Sequence, residues 1–221
     1  MERLYEVFAK VPKPARIDGC PCCMESKRVD VLLRRPLRQL TPEELASYSA
    51  SAFLTAGDVD DYLYFLPRIM EITISELGWW PDFEVTGRAI RDSTPEKWQP
   101  EQRQALTELF EEVIEELLRE EDSGYAIDGW ICGIAHANWD VRPFLQRIEK
   151  SPGHVISYCE MNVLALGRRE LENHFWERKL EGYAHVLAWF ASPSVRGMTM
   201  AVREVNLDDK TRTEGAKMEV G

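Results

Sequence analysis

A cluster of three cysteines is the group of residues in this chain best suited to chemistry. Cys20, Cys22 and Cys23 lie close together, with Pro21 between the first two and Gly19 just before them. Glycine and proline favour a tight turn, which brings neighbouring side chains together. Such a turn can direct thiolates at one Zn²⁺ ion, which takes four ligands and stabilises ionised cysteine.

A zinc site built on this cluster needs further ligands from a distant part of the chain. Cys132 and His136 are four residues apart, so on a helix they share one face and can supply two ligands. His154 and Cys159 are five apart, which is a poorer helical match. The metal site predicted by this interpretation therefore consists of the three clustered cysteines with Cys132 and His136.

Two other interpretations of the cysteine cluster stay open beside zinc. A C-x-x-C pair with a lowered thiol pKa can exchange disulfides, but a thioredoxin-like site needs a preceding strand in a βαβ unit, which this sequence does not favour. Free cysteine also packs as a small apolar residue. The cluster can then be a buried turn that pins the N-terminal segment to the body of the protein.

The charge of the chain favours a basic partner over nucleic acid. The 221 residues carry a formal net charge of -11, whereas binding to phosphates needs a cationic face. The glutamates from Glu108 to Glu121 predict either a docking surface for a basic protein or a solvated helix face. No P-loop, G-x-S-x-G, G-x-G-x-x-G or H-E-x-x-H motif is present, so no enzyme class is indicated.

The sequence predicts a cytoplasmic protein without a membrane span. The start of the chain is charged and unlike a secretory signal, and no stretch approaches the roughly 18 apolar residues of a membrane helix. Five cysteines, an odd number with three of them within four residues, do not resemble the framework of a secreted disulfide protein.

Capping signals and apolar periodicity predict a helical chain. Thr41 precedes Pro42 and Glu44, a pattern that begins a helix, and Asp58 caps the next one, in which Pro67 should produce a kink. Further helices are predicted over residues 95–122, with a start delayed to about Pro100, over 125–137, after a turn and cap at 138–140 to about Lys150, and over 151–167 and 170–190. Residues 198–205 are predicted to be irregular.

The fold class that follows is all-α, with little or no β structure. Consecutive amphipathic helices with short turns predict a multi-helix bundle or an irregular helix-hairpin stack of solenoid type. We expect a single helical domain over residues 1–206, with a hinge at 79–95 where Trp, Pro, Gly and Ser concentrate. Residues 207–221 are polar and are predicted to form a mobile tail.

Three short motifs resemble those of a family of bacterial helical proteins that has no established activity. They are the GCPCC run at 19–23, the PLRQLT run at 36–41 and the YFLPR run at 64–68. The match covers mainly residues 15–75. The resemblance implies a bacterial helical protein, and it implies no functional residues.

Charge and composition lead to two principal hypotheses for function. The first is a non-enzymatic interaction module that binds a basic partner through an acidic, Trp-rich surface, as an immunity-type or antitoxin-type protein would. The second is a zinc-binding or thiol-dependent protein that uses the cysteine cluster. An enzyme site assembled from distant residues is a third hypothesis, which a deep pocket with convergent polar groups would favour.

Overall fold

The computed structural model describes residues 1–19, 26–76, 78–121 and 123–200, with the backbone alone at residues 26–28. These residues fold into α-helices joined by short connections, with two 3-10 turns at Leu37–Gln39 and Pro95–Lys97. No β-strand forms in this part of the chain, where the extended pairing is limited to isolated bridges at Ala56. The predicted all-α class is therefore confirmed, and the architecture is a helical bundle.

The helices of the bundle follow one another along the chain, and most are between seven and eighteen residues long. They are α1 (Glu2–Phe8), α2 (Ser26–Arg34), α3 (Pro42–Ser51), α4 (Val59–Ser75), α5 (Phe83–Asp92), α6 (Pro100–Leu117), α7 (Gly124–His136), α8 (Arg142–Ile148), α9 (Pro152–Met161), α10 (Val163–Leu166) and α11 (Glu181–Phe190). Residues 193–200 are also helical.

Local capping chemistry sets the starts of α3 and α4, as the sequence predicts. Thr41 Oγ1 accepts a hydrogen bond from the backbone N–H of Glu44, and Asp58 does the same for Asp61. In both helices the third residue returns a bond to the N–H of the capping residue. These reciprocal bonds satisfy backbone donors that lack a partner inside the helix. Pro100 is the first residue of α6, where a missing N–H costs nothing.

Helix α7 is the centre of the bundle, because α5, α6, α9 and α11 all pack against it. Two glycines let α5 and α7 approach closely. A Cβ atom at Gly133 would lie 2.2 Å from Cδ1 of Phe83, and one at Gly87 would lie 2.2 Å from the carbonyl oxygen of Gly133. Any larger residue at either position would push the helices apart. The buried apolar cluster around this contact extends from Leu4 in α1 to Val195.

The helix predicted over residues 170–190 is wrong in its first half. Residues 171–180 form a loop, and only Glu181–Phe190 is helical. Asn173 Oδ1 accepts from the N–H of Phe175, a local bond that competes with the helical ladder. His174 consequently lies in the loop while His185 lies on α11, so the two histidines do not share a helix.

The helix predicted over 151–167 is broken at Asn162. This buried residue donates from Nδ2 to the carbonyl of Tyr158 and accepts at Oδ1 from the N–H of Glu172. It ends α9 and begins α10. Residues 198–200, predicted to be irregular, are helical, whereas 201–205 and the tail predicted at 207–221 lie outside the described residues.

The segment predicted as a hinge, residues 79–95, contains α5, which the sequence did not predict. Helices α1 and α2 were not predicted either. Gly87, one of the residues in that segment, lies at the close contact between α5 and α7.

Candidate functional site

A pocket of about 570 Å³ opens where the α4–α5 connection, α7 and the 171–180 loop meet. We call it the acidic pocket. Its charged lining residues are Glu76, Asp82, Glu84 and Glu172, and its aromatic lining residues are Trp79, Phe83, Tyr125, Trp130 and Phe175. Among the described residues, no Lys or Arg lines it, and His174 is the one basic side chain there.

The four carboxylates reach the pocket from three separate elements. Glu76 follows the end of α4, Asp82 and Glu84 begin α5, and Glu172 lies in the loop after α10. Asp82 occupies the capping position of α5, yet its side chain makes no capping hydrogen bond. Within the described ranges, none of the four is in an ion pair with Lys or Arg, unlike Glu177, which pairs with Lys179 and Arg88. The pocket is therefore a site of uncompensated negative charge.

Glu84 is the buried carboxylate of this group, with 6% of its surface exposed. Its Oε1 accepts a 2.8 Å hydrogen bond from Nδ2 of Asn173. Gly129 on α7 lies beside it, since a Cβ atom there would be 3.5 Å from the same oxygen, an ordinary van der Waals distance. Burial raises the pKa of Glu84, and the nearby carboxylates of Asp82 and Asp128 raise it further.

Packing and hydrogen bonds position three of the aromatic residues of the pocket, Phe83, Trp130 and Trp79. The rings of Phe83 and Trp130 stack with their centroids 4.0 Å apart. Trp79 donates from Nε1 to the carbonyl of Pro42 at 3.0 Å, which fixes its indole. Tyr125 is 80% exposed at the mouth. Aromatic faces carry negative electrostatic potential, so these rings and the carboxylates both favour a cation.

A second buried carboxylate, that of Asp128 on α7, lies near Glu84 but does not line the pocket. Asp128 Oδ1 accepts a hydrogen bond from Nε1 of Trp176 at 3.2 Å. Burial raises the pKa of Asp128, and burial together with this carboxylate raises the pKa of the Tyr158 phenol. Asn173 and Trp176 together therefore tie the 171–180 loop to carboxylates on α5 and α7.

Cys132 and His136, two of the predicted metal ligands, lie on this buried side of α7. His136 Nε2 donates to the carbonyl of Phe175 at 2.7 Å, and Nδ1 has no partner among the described residues. Burial lowers the pKa of His136. Burial together with Glu84 and Asp128 raises the pKa of the Cys132 thiol, which disfavours the thiolate that a metal binds.

The other predicted ligands, Cys20, Cys22 and Cys23, lie outside the described residues. Among the residues that are described, no group of three or more His, Cys, Asp and Glu side chains is arranged to hold a metal ion. The structure therefore gives no distance between the three clustered cysteines and the pair Cys132 and His136. The zinc hypothesis stays a prediction, which elemental analysis of protein purified without a metal-affinity tag would test.

The glutamate-rich face of α6 is a second acidic surface, but the chain's own cations offset much of its charge. Arg147 pairs with Glu111 at 3.2 Å and with Glu115 at 3.4 Å. Glu116 pairs with Arg119, and the N-terminal amine lies 3.9 Å from Glu112. Compared with the acidic pocket, this face offers a basic partner fewer uncompensated carboxylates.

The sequence predicts an acidic, Trp-rich surface, but it does not single out Glu84, Asp128 or Asn173. A weak signal for Asp128 is its position within the apolar sequence of α7, where an ionisable residue needs a buried partner. Glu84 and Asn173 give no local signal, because they meet only through the tertiary fold.

None of the described helices combines the length and apolar character needed to cross a membrane. Comparison with known proteins finds no matching protein-family model. No curated protein and no solved structure matches the chain either.

Proposed function

We propose that this protein is a non-enzymatic interaction module that binds a basic partner protein, and that the acidic pocket receives a cationic side chain of that partner. The single observation that carries the proposal is the lining of the pocket. Four carboxylates and five aromatic rings converge there, without a Lys or Arg among the described lining residues.

The chemistry of the pocket supports an arginine or a lysine as the bound group. A guanidinium or ammonium ion is attracted by aromatic faces such as that of Trp130, and it forms charge-assisted hydrogen bonds with carboxylates. Glu84 is already fixed by Asn173, so less side-chain freedom would be lost when a cation binds. A pocket of about 570 Å³ exceeds one side chain, which leaves space for neighbouring residues of the partner.

Desolvation of Glu84 gives a further reason for a cationic ligand. A buried carboxylate without a countercharge is costly, and the raised pKa of Glu84 reflects that cost. A cation placed beside it would compensate the charge and lower that pKa. Burial and neighbouring charges account for the raised pKa, so no catalytic role for Glu84 is needed.

The kind of partner follows from the charge of the whole chain. A net charge of -11 attracts a basic protein over long range, so association should weaken with salt. An immunity-type or antitoxin-type protein that neutralises a basic toxin is one example of such a module. We place this activity in the cytoplasm.

A binding experiment with a matched control tests the proposal. Anisotropy of a fluorescently labelled octa-arginine peptide at low salt would be measured with the wild type and the double variant Asp82→Asn/Glu172→Gln. The control, Glu101→Gln/Glu108→Gln, removes the same charge from α6, where neither residue pairs with a described cation.

We expect the pocket variant to lose about thirtyfold in affinity and the control less than about twofold, since each of the two contacts to an uncompensated carboxylate contributes about 1 kcal/mol. Equal losses in the two variants would show attraction by net charge alone and would reject the pocket as the site. Absence of binding by the wild type at low salt would reject the proposed function.

A further inference from the structure

A second concavity, an apolar groove of about 650 Å³, lies between α9, α10 and α11 and extends to the helical residues 193–200. Its apolar walls include Ile156, Val163, Leu166, Leu187 and Phe190. It shares no lining residue with the acidic pocket. A groove of this size and lining is typical of sites for small apolar molecules.

The charged residues that line this groove are mainly cationic, whereas those of the acidic pocket are carboxylates. Arg169 and Arg196 both line it and are exposed, and within the described ranges neither forms an ion pair with Asp or Glu. The neighbouring Arg168, by contrast, is paired with Glu170 at 3.3 Å. Glu160 is the one carboxylate among the described lining residues. Two cations without ion-pair partners thus lie beside an apolar surface, in a chain that is otherwise strongly acidic.

The backbone at Arg169 is unusual for an arginine. Its φ of 58° is in the left-handed region, which favours glycine or asparagine. The conformation closes the end of α10, where the N–H of Arg169 bonds to the carbonyl of Leu166 at 3.0 Å. Substitution by asparagine therefore removes the charge at a position whose backbone suits the new residue.

We propose that this groove binds an amphiphilic small molecule that has an apolar chain and a carboxylate head group. The apolar walls cover the chain, and Arg169 and Arg196 bind the carboxylate through charge-assisted hydrogen bonds. Glu160 bears the same charge as the ligand, so the head group is placed toward the arginines and away from it. The site is independent of the function proposed for the acidic pocket.

Because the whole chain is acidic, a preference for an anionic over a cationic amphiphile would distinguish the proposed site from general charge attraction. A net charge of -11 would by itself attract a cationic amphiphile and repel an anionic one. Preference for the anion can therefore arise only from local cations. The titration uses the full-length Asp82→Asn/Glu172→Gln variant, in which the acidic pocket competes less for a cation. Calorimetry of this variant with sodium dodecanoate, and separately with dodecyltrimethylammonium, both below micelle formation, measures that preference.

Two variants locate the binding in the groove. Arg169→Asn should weaken dodecanoate binding by about tenfold, because one charge-assisted contact is lost. Arg168→Gln removes the same charge from the adjacent residue, which does not line the groove, and should change affinity less than about twofold. Thermal unfolding would confirm that both variants are folded.

The proposal is overturned by any of three results. The first is that the full chain does not bind dodecanoate, which would include the case in which another part of the chain or a second copy covers the groove. The second is equal or tighter binding of the cationic amphiphile. The third is an equal effect of the two arginine substitutions, which would show a general effect of charge.

Discussion

Asn173 and Glu84 are 89 positions apart in the chain, and Nδ2 of Asn173 donates a 2.8 Å hydrogen bond to Oε1 of Glu84. The bond joins the 171–180 loop to the first turn of α5. It fixes both the carboxylate of Glu84 and the part of the 171–180 loop that lines the acidic pocket. The shape of the proposed binding site therefore depends on this contact.

Replacement of Asn173 by alanine should reduce the free energy of unfolding by about 1–3 kcal/mol, because a buried carboxylate loses its donor. Denaturant unfolding measures the loss. Combined with Glu84→Ala, which has no acceptor for Asn173, in a double-mutant cycle, the two effects should be less than additive, since both remove the same contact. Strict additivity would contradict the coupling between the two residues.

The contact between α5 and α7 should not tolerate a side chain at Gly133. A methyl group there would lie 2.2 Å from the ring of Phe83, so Gly133→Ala should destabilise the fold by about 1–3 kcal/mol. Gly153→Ala is the matched control, because no atom lies within 4 Å of its added methyl. The control should be neutral or stabilising by up to about 1 kcal/mol. A neutral Gly133→Ala would mean that the helices are not this close.

Local signals predicted the fold better than they predicted the site. The capping boxes at Thr41 and Asp58 involve residues three apart, so the sequence alone predicts their hydrogen bonds. In the sequence, Gly87 looked like part of a hinge. In the structure a glycine is required there because the carbonyl oxygen of Gly133, on another helix, leaves no space for a side chain. Contacts of that kind have no local signature.

The 171–180 loop illustrates why the site itself could not be predicted. Leu171 and Trp176 are buried, and their apolar character favoured a helix in the sequence. Their partners lie on other elements, and Trp176 donates to Asp128 on α7. Tertiary hydrogen bonds to α5 and α7 therefore override the local pattern. The zinc prediction differs, because three of its five ligands lie outside the described residues.

Asp128 should make stability depend on pH in a direction opposite to that of an ion-paired carboxylate. Burial raises its pKa above the ordinary 3.8, so the folded state binds the proton more tightly than the unfolded state. Its contribution to stability therefore falls as the pH rises above 3.8. Asp128→Asn removes this term and should gain stability relative to the wild type, on the order of 1 kcal/mol, between about pH 4 and pH 7. A difference that does not vary with pH would contradict this assignment.

His136 should make the free energy of unfolding depend on pH in the direction opposite to that of Asp128. Burial lowers its pKa below 6.5, so its contribution to stability is present above pH 6.5 and is lost as the pH falls below it. His136→Gln retains a donor for the carbonyl of Phe175 and does not take up a proton. The variant should therefore lose less stability than the wild type between about pH 7 and pH 5.5 in urea unfolding. An equal loss in both proteins would show that His136 is not the titrating group.

The most direct test of the central claim is the response of the indole N–H signals of the seven tryptophans to a single cationic side chain. The probe is N-acetyl-arginine amide, with N-acetyl-glutamine amide as the uncharged control, in a ¹⁵N-correlated NMR titration. The acidic pocket predicts saturable shifts at Trp79 and Trp130, which line it, and none at Trp98 and Trp189, which do not. The same shifts should be lost in Asp82→Asn/Glu172→Gln. No shifts at Trp79 and Trp130, or equal shifts with the glutamine probe, would contradict a cation-binding pocket.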